Sequence, residues 1–128
     1  MILDSSALVA IVMKEPGAGI LLTKIHAAPT RGIGAPTLME TLMVLATRLR
    51  GDPSALLQAL LRELDVEVIP FTEEHSLVAL SAFLKFGKGR HRAALNFGDC
   101  TAYAIASVAR ESLLFVGLDF GKTDIAAA

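Results

Sequence analysis

The sequence predicts an α/β fold in which a parallel sheet carries helices on both faces. Short apolar runs alternate along the chain with longer stretches of helical apolar spacing, the order expected of repeated strand–helix units. The short runs are continuous rather than alternating with polar residues, as strands are when both of their faces are covered. Helix-start and helix-stop residues fall at the junctions.

The elements follow in order. "MIL" is a short strand ending at Asp4, and "SSALVAIVM" is a helix that stops before Pro16 and Gly17. "GAGILLTKIHAA" is a second helix, closed by Pro29, and "GIGA" is a short strand. "PTLMETLMVLATRLR" is a strong helix, opened by Pro36 and Thr37 and ended at Gly51. "PSALLQALLREL", opened by Pro53, is another helix, and "VEVIPF" is a strand. "TEEHSLVALSAFLKF" is a helix with Thr72 as its N-cap, followed by a basic, glycine-containing loop, "GKGRHRAALNF". A helix from about Gly98 to Arg110 and a last strand, "LLFVG", leave only a small Ala-rich tail at Ala126–Ala128.

With 128 residues, 53% of them apolar, the chain suits one domain, residues 1–128, around a sizeable core. A net charge of -1 gives no global attraction to nucleic acid or to an acidic membrane, so polyanion binding must come from a local patch. The single cysteine, Cys100, excludes an internal disulfide framework and points to a reducing, cytoplasmic setting. No signal peptide is expected, because the first residues lack a positively charged region. No membrane span is expected either: Asp4, Glu40 and Asp99 interrupt the best apolar runs before they reach the roughly 18 to 20 residues a bilayer requires.

Four of the thirteen acidic residues sit in apolar surroundings: Asp4, Glu40, Asp99 and Asp119. Asp4 lies just past the first strand and Asp119 just past the last, while Glu40 and Asp99 lie in the first turns of helices. In a parallel α/β fold, helix N-termini stand at the carboxyl ends of the strands. All four acids are therefore expected at the one edge where open α/β sheets bind ligands. Carboxylates gathered in a poorly hydrated place repel one another and resist ionisation unless a cation compensates. Oxygen ligands without nearby Cys or His suit Mg²⁺ or Mn²⁺ rather than Zn²⁺. Such a site can activate water and stabilise charge on a phosphate under in-line attack. Glu73 and Glu74, after "VEVIPF", join the site only if strand order allows.

Each acid also has a purely structural role open to it. Asp99 can complement a helix dipole with Asn96 as cap, and Asp4 can cap the helix opened by Ser5 and Ser6. Thr37-Leu38-Met39-Glu40 fits a capping box, which taken singly is the better reading of Glu40. Asp119, between Gly117 and Gly121, can be a turn acid. Four independent caps, however, need not share one edge with apolar neighbours. Cys100 reads as a small buried hydrophobe rather than a nucleophile. His26, His75 and His91 lack metal-ligand spacing, and "GKGRHR" lacks the spacing of a phosphate-binding loop. Lys85, Lys88, Arg90, His91 and Arg92 nevertheless run directly into Asp99, which places positive charge near the acids and favours contact with a phosphate backbone. The Leu-rich segments "LLQALLREL" and "LMVLATRL" fit core packing first, with part of their surface open to self-association or a partner helix.

These stretches resemble a known family. "MILDSSALVAIVMKEPG" resembles the opening of PIN-domain proteins, with Asp4 and a following Ser-Ala. "APTLMETLMVL" is similar to their second motif, carrying Glu40, and "GKGRHRAALNFGDCTAYAIA" to the third motif of VapC-type toxins of type II toxin–antitoxin systems, carrying Asp99. "LLFVGLDFGKTDI" resembles the closing motif of the same group. The resemblance spans nearly the whole chain. It implies a three-layer α/β/α sandwich, with the "VEVIPF" strand at the sheet edge and Glu73 and Glu74 outside the site. It further implies a Mg²⁺-dependent endoribonuclease, usually dimeric, acting on RNA and inhibited by a VapB-like antitoxin. By motif match, Asp4 and Asp99 are similar to the principal metal ligands, Glu40 to the third acid, and Ser6 to the small hydroxyl that hydrogen-bonds within the cluster. Relatives often have Gly-Asp-Asp-Phe where this chain has Gly117-Leu118-Asp119-Phe120. The fourth acid is then Asp119, or Asp124 in the supporting "KTDI" stretch with Thr123, and occupancy of a second metal is in question.

The sequence thus supports a ribonuclease in which Asp4, Glu40 and Asp99 hold Mg²⁺, Asp119 or Asp124 assists, and Lys88, Arg90 and Arg92 hold single-stranded or looped RNA. A rival, motivated by Leu118, is a catalytically weak module working through antitoxin or RNA contacts. A receiver-like or phosphatase-like domain ranks below both, because no Asp follows "VEVIP" and Lys122 is the only candidate lysine.

Overall fold

A computed structural model describes residues 1–128. The elements run β1 (Ile2–Leu3), α1 (Ser5–Val12), α2 (Ala18–Ala27), β2 (Gly32–Gly34), α3 (Ala35–Leu49), α4 (Ser54–Glu63), β3 (Glu67–Ile69), α5 (Glu73–Phe86), α6 (Phe97–Ala109) and β4 (Leu113–Leu114), with a short 3₁₀ turn at Phe120–Lys122. The strands form one parallel sheet in the order β3-β2-β1-β4, so β1 is central and β3 is an edge.

Successive strand residues point to opposite faces and feed two separate cores. Leu3, Ile33 and Leu114 pack with Leu8 of α1, Ile25 of α2, Leu45 of α3, and Leu57 and Leu61 of α4. Ile2 and Leu113 pack on the other side with Ala82 and Phe86 of α5 and Ile105 of α6. The result is the expected α/β/α sandwich, with α1–α4 in one layer and α5 and α6 in the other. Gly34 lets α6 lie directly on the sheet: a Cβ there would meet Ile105 Cγ1 at 2.7 Å, closer than packed atoms approach.

Several boundaries differ from the sequence reading for local reasons. β3 is three residues long and stops before Pro70, which has no N–H for the ladder. It is an edge strand with Val68 42% exposed, so it is not covered on both faces as the other runs are. β4 ends at Leu114, well short of "LLFVG", and the Val116 N–H donates to Ser6 Oγ at 2.9 Å instead of to a neighbouring strand. The Ala-rich tail is not a loose end. The Leu113 N–H donates to the Ala126 carbonyl at 2.8 Å, and the Ala128 N–H to the Leu113 carbonyl at 3.0 Å. The left-handed residue closing α3 is Arg50, at φ 52°, one position before Gly51.

Truncating the fully buried Leu45 to Ala is expected to cost about 2–5 kcal/mol in urea unfolding, through lost burial and the cavity left behind. The same change at Leu56, 50% exposed on α4, is expected to stay within about 0.5 kcal/mol. Equal losses at the two positions would contradict the assignment of faces.

Candidate active site

The topology sets the site before any side chain is considered. β1 lies between β2 and β4, so the segments leaving those three strands meet at one rim. Asp4 follows β1 directly, α3 opens straight from β2, and Asp119 lies five residues past β4. The N-terminus of α6, with Asp99 in its first turn, reaches the same rim.

Asp4 is the most buried of these acids, only 4% exposed, and is the N-cap of α1. Its Oδ2 accepts from the Ser6 amide at 3.0 Å and from Ser6 Oγ at 2.5 Å. Ser6 Oγ in turn accepts from the Val116 N–H, so one hydroxyl ties Asp4 to the segment leaving β4. Burial pushes the Asp4 carboxyl above its usual range, against the lowering effect of the bonds from Ser6 and from the Ser5 amide.

Glu40 is on the second turn of α3. The expected capping box does not form, because α3 begins at Ala35 with Gly34 as its N-cap and Pro36 in its first turn. Thr37 is therefore already inside the helix, and its buried hydroxyl has no hydrogen-bond partner. Burial raises the Glu40 carboxyl, the Ser5 hydroxyl draws it down, and the charge of Asp4 raises it again. Gly98 makes room for it: a Cβ at that position would lie 2.5 Å from Glu40 Oε1.

Asp99 forms a reciprocal capping box with Asn96. Its amide donates to Asn96 Oδ1 at 2.9 Å, and its Oδ2 accepts from the Asn96 amide at 2.9 Å. Despite that bond its pKa is pushed up to about 6, first by burial and then by the charges of Asp4, Glu40 and Asp119. The strand order and the approach of Glu40 to Gly98 bring these acids to one rim, and the charges felt by Asp99 agree with that placement. Asp119 is the exposed member, and its nearest cation is Lys122, with Nζ 3.4 Å from Oδ1.

The donor set is one that a hard divalent cation would take: carboxylate oxygens, partly desolvated, with no Cys or His among them. The acids do not form a closed cage. No three His, Cys, Asp or Glu side chains stand at ion-holding spacing. Like charges on one rim repel one another, which works against a closer approach of these side chains.

The other sequence candidates fall elsewhere. Asp124 is bound by Lys85 Nζ at 2.6 Å and by the Tyr103 hydroxyl at 2.7 Å, and this pair holds its carboxyl below the usual range. Burial and the bond to Asp124 push the Tyr103 phenol up to about 12. Thr123 Oγ1 donates to the Phe120 carbonyl at 2.7 Å and shapes the C-terminal turn. Glu73 and Glu74 open α5 behind the edge strand, with β2 between that strand and β1. Lys88, Arg90 and Arg92 form no ion pair. The Arg90 guanidinium lies 5.1 Å from the centre of the Phe83 ring. Cys100 is buried, and burial followed by the Asp99 charge raises its thiol, the reverse of an activated nucleophile. Two site residues escaped the sequence reading, Ser5 and Gly98. The Ser5-Ser6 pair was visible, but which hydroxyl meets which acid depends on where α1 begins. The need for Gly98 depends on how α3 and α6 cross.

The sequence matches the PIN domain family over residues 1–126. It is 44% identical over 126 residues to Ribonuclease VapC36 of Mycobacterium tuberculosis, covering 98% of this chain and 91% of that protein. Among solved structures it is similar to VapC20 of Mycobacterium tuberculosis, described as a toxin cleaving the sarcin–ricin loop, with a TM-score of 0.77, 18% identity, and 99% of this chain and 97% of that one covered. A toxin–antitoxin complex from Klebsiella pneumoniae gives a TM-score of 0.72 at 18% identity, covering 99% and 95% of the two chains.

The raised Asp99 pKa has a consequence for metal-free stability. Its favourable contribution is fully present below pH 3.8 and is lost as pH rises through about 6. Asp99→Asn is therefore expected to raise metal-free stability near neutral pH by about 1 kcal/mol, well under the full linkage limit because the carboxyl is partly exposed. Near pH 3.5, by urea unfolding, the two proteins are expected to differ by less than about 0.5 kcal/mol. A variant less stable at neutral pH would contradict the raised Asp99 pKa.

Proposed function

The chain belongs to the PIN-domain family, and from that membership we propose that it is a VapC-type ribonuclease: a metal-dependent endoribonuclease and the toxin of a type II toxin–antitoxin pair. One observation carries the reading from family to chemistry. Asp4, Glu40, Asp99 and Asp119 stand at the sheet edge where α/β folds bind ligands, with Glu40 against Gly98 beside Asp99. The 44% identity to a ribonuclease over nearly the whole chain supports the same activity.

Asp4, Glu40 and Asp99 would hold Mg²⁺ or Mn²⁺, with Asp119 reaching in from the exposed side. When bound, the cation supplies Lewis acidity and positive charge at the scissile phosphate. The chain's own groups do the positioning. Ser6 fixes Asp4 through one oxygen, the Asn96 amide fixes Asp99 through Oδ2, and Gly98 leaves space for Glu40 beside them. Lys88, Arg90 and Arg92, free of carboxylate partners, would hold the RNA backbone. A VapB-like antitoxin and a second copy of the chain are the expected protein partners, and the exposed Met39, Met43 and Leu56 of α3 and α4 offer them apolar surface. No helix is long and apolar enough to cross a membrane, and the cytoplasm is the proposed place of action. The second reading, a weakly catalytic binding module, is favoured by Leu118, 78% exposed beside Asp119 at a position where the family resemblance leads one to expect another acid.

The purified protein is expected to cleave total RNA in Mg²⁺ or Mn²⁺ and not in chelator. Asp99→Asn is expected to abolish cleavage while keeping the fold, and to lose any Mg²⁺-dependent rise in Tm shown by the wild type. Metal-dependent cleavage by that variant would reject the assignment of Asp99, and an inert wild type would favour the binding module. Replacing Lys88 and Arg90 together by Ala is expected to lower the slope of log affinity against log salt by about 1.4 for single-stranded RNA. An unchanged slope would remove the loop from the RNA path.

A further inference from the structure

One apolar groove adjoins the acid rim without belonging to the four-acid cluster. It lies between α5 and the start of α6, encloses about 450 Å³, and is walled by Phe71, Ala79, Leu80, Phe83, Phe97 and Cys100. That volume is in the range of small-molecule sites. Phe97 is the first residue of α6 and is 83% exposed, the most exposed large apolar side chain in the protein. Its place is fixed by the Asn96–Asp99 capping box around it. Phe97 in the groove wall directly precedes Gly98, whose backbone lies against Glu40, so that end of the groove lies near the acids. Across the groove Phe83 carries the Arg90 guanidinium over its ring, and that cation has no carboxylate partner.

Aromatic walls, an unpaired cation at one rim and phosphate-directed acids at the other match one repeating unit of a single-stranded nucleic acid. We propose that the groove is a nucleobase slot, in which a base adjoining the scissile phosphate stacks on Phe97 against Phe83 while Arg90 draws its phosphate. This rests on the RNA-cleaving reading and adds a positioning residue, Phe97, to it. Stacking of this kind tolerates any base, because every base has a π-face. An apolar helix in the same place would strip water from Arg90 and from the acid rim without pairing them.

The chain contains no tryptophan, so Phe97→Trp installs a sole reporter in the groove wall. The probe is a fluorescein-labelled single-stranded RNA of about 12 nucleotides, titrated in chelator so that binding is read without cleavage. Binding of the RNA is expected to quench the indole emission of the Phe97→Trp variant. Phe97→Ala is expected to weaken binding measured by anisotropy by about 5- to 100-fold, with Phe97→Tyr restoring most of it. In Mg²⁺ the Phe97→Ala variant is expected to raise KM more than it lowers kcat. Because Phe97 is exposed, its truncation does not threaten the core. RNA binding with no quenching and no loss on truncation to Ala would overturn the slot while leaving the nuclease intact. Emission that changes with protein concentration before RNA is added would overturn it in favour of a second copy of the chain on this face. Absence of cleavage by the wild type in any divalent metal is the separate result that would overturn the nuclease reading itself.

Discussion

Negative charge gathered where water is scarce is the constraint around which this molecule is arranged. Asp4 cannot leave the rim, because it follows the central strand and caps the helix that begins immediately after it. Glu40 and Asp99 are carried to it by helices that start at the same edge, and Gly98 brings the two close together. The positive ends of α1 and α6 offset part of this charge. They do not offset all of it, since the Asp99 pKa is still pushed up to about 6 despite a backbone bond to its carboxylate. The fold gathers these acids at the rim where the segments leaving its three adjacent strands converge.

Capping and chemistry are not alternatives here. Asp4 accepts the Ser6 N–H and Asp99 the Asn96 N–H, each through Oδ2 at a helix start. The cap therefore orients the carboxylate instead of consuming it. Asn is accordingly the informative replacement at both positions, since its side-chain oxygen can keep the capping bond while the charge is lost. Ser6 extends the same arrangement: its hydroxyl donates to Asp4 and accepts from Val116, ending β4 early and turning the chain toward Asp119.

Much of this was legible in the sequence because it depends on order and period. Short apolar runs between helical segments gave the parallel sheet, and the direction of helices in such a sheet gave the common edge for Asp4, Glu40, Asp99 and Asp119. What stayed hidden depends on helix starts and on contacts between distant residues. The Thr37–Glu40 spacing fits a capping box, yet the chain is already helical from Ala35, and no local pattern separates those two starts. Asp124 and Asp119 are equally plausible in sequence, and only the 39-residue reach of Lys85 to Asp124 separates them. The exposed face of β3 follows from its place at the sheet edge, which its own residues do not encode.

The shared rim is tested most directly by seeing where a cation goes. Crystals of the protein soaked in Mn²⁺ are expected to give an anomalous difference peak coordinated by Asp4 and Asp99, with Glu40 rotated toward it. A peak bound elsewhere on the surface, or none in crystals that leave this rim open to solvent, would contradict the claim that these acids act together.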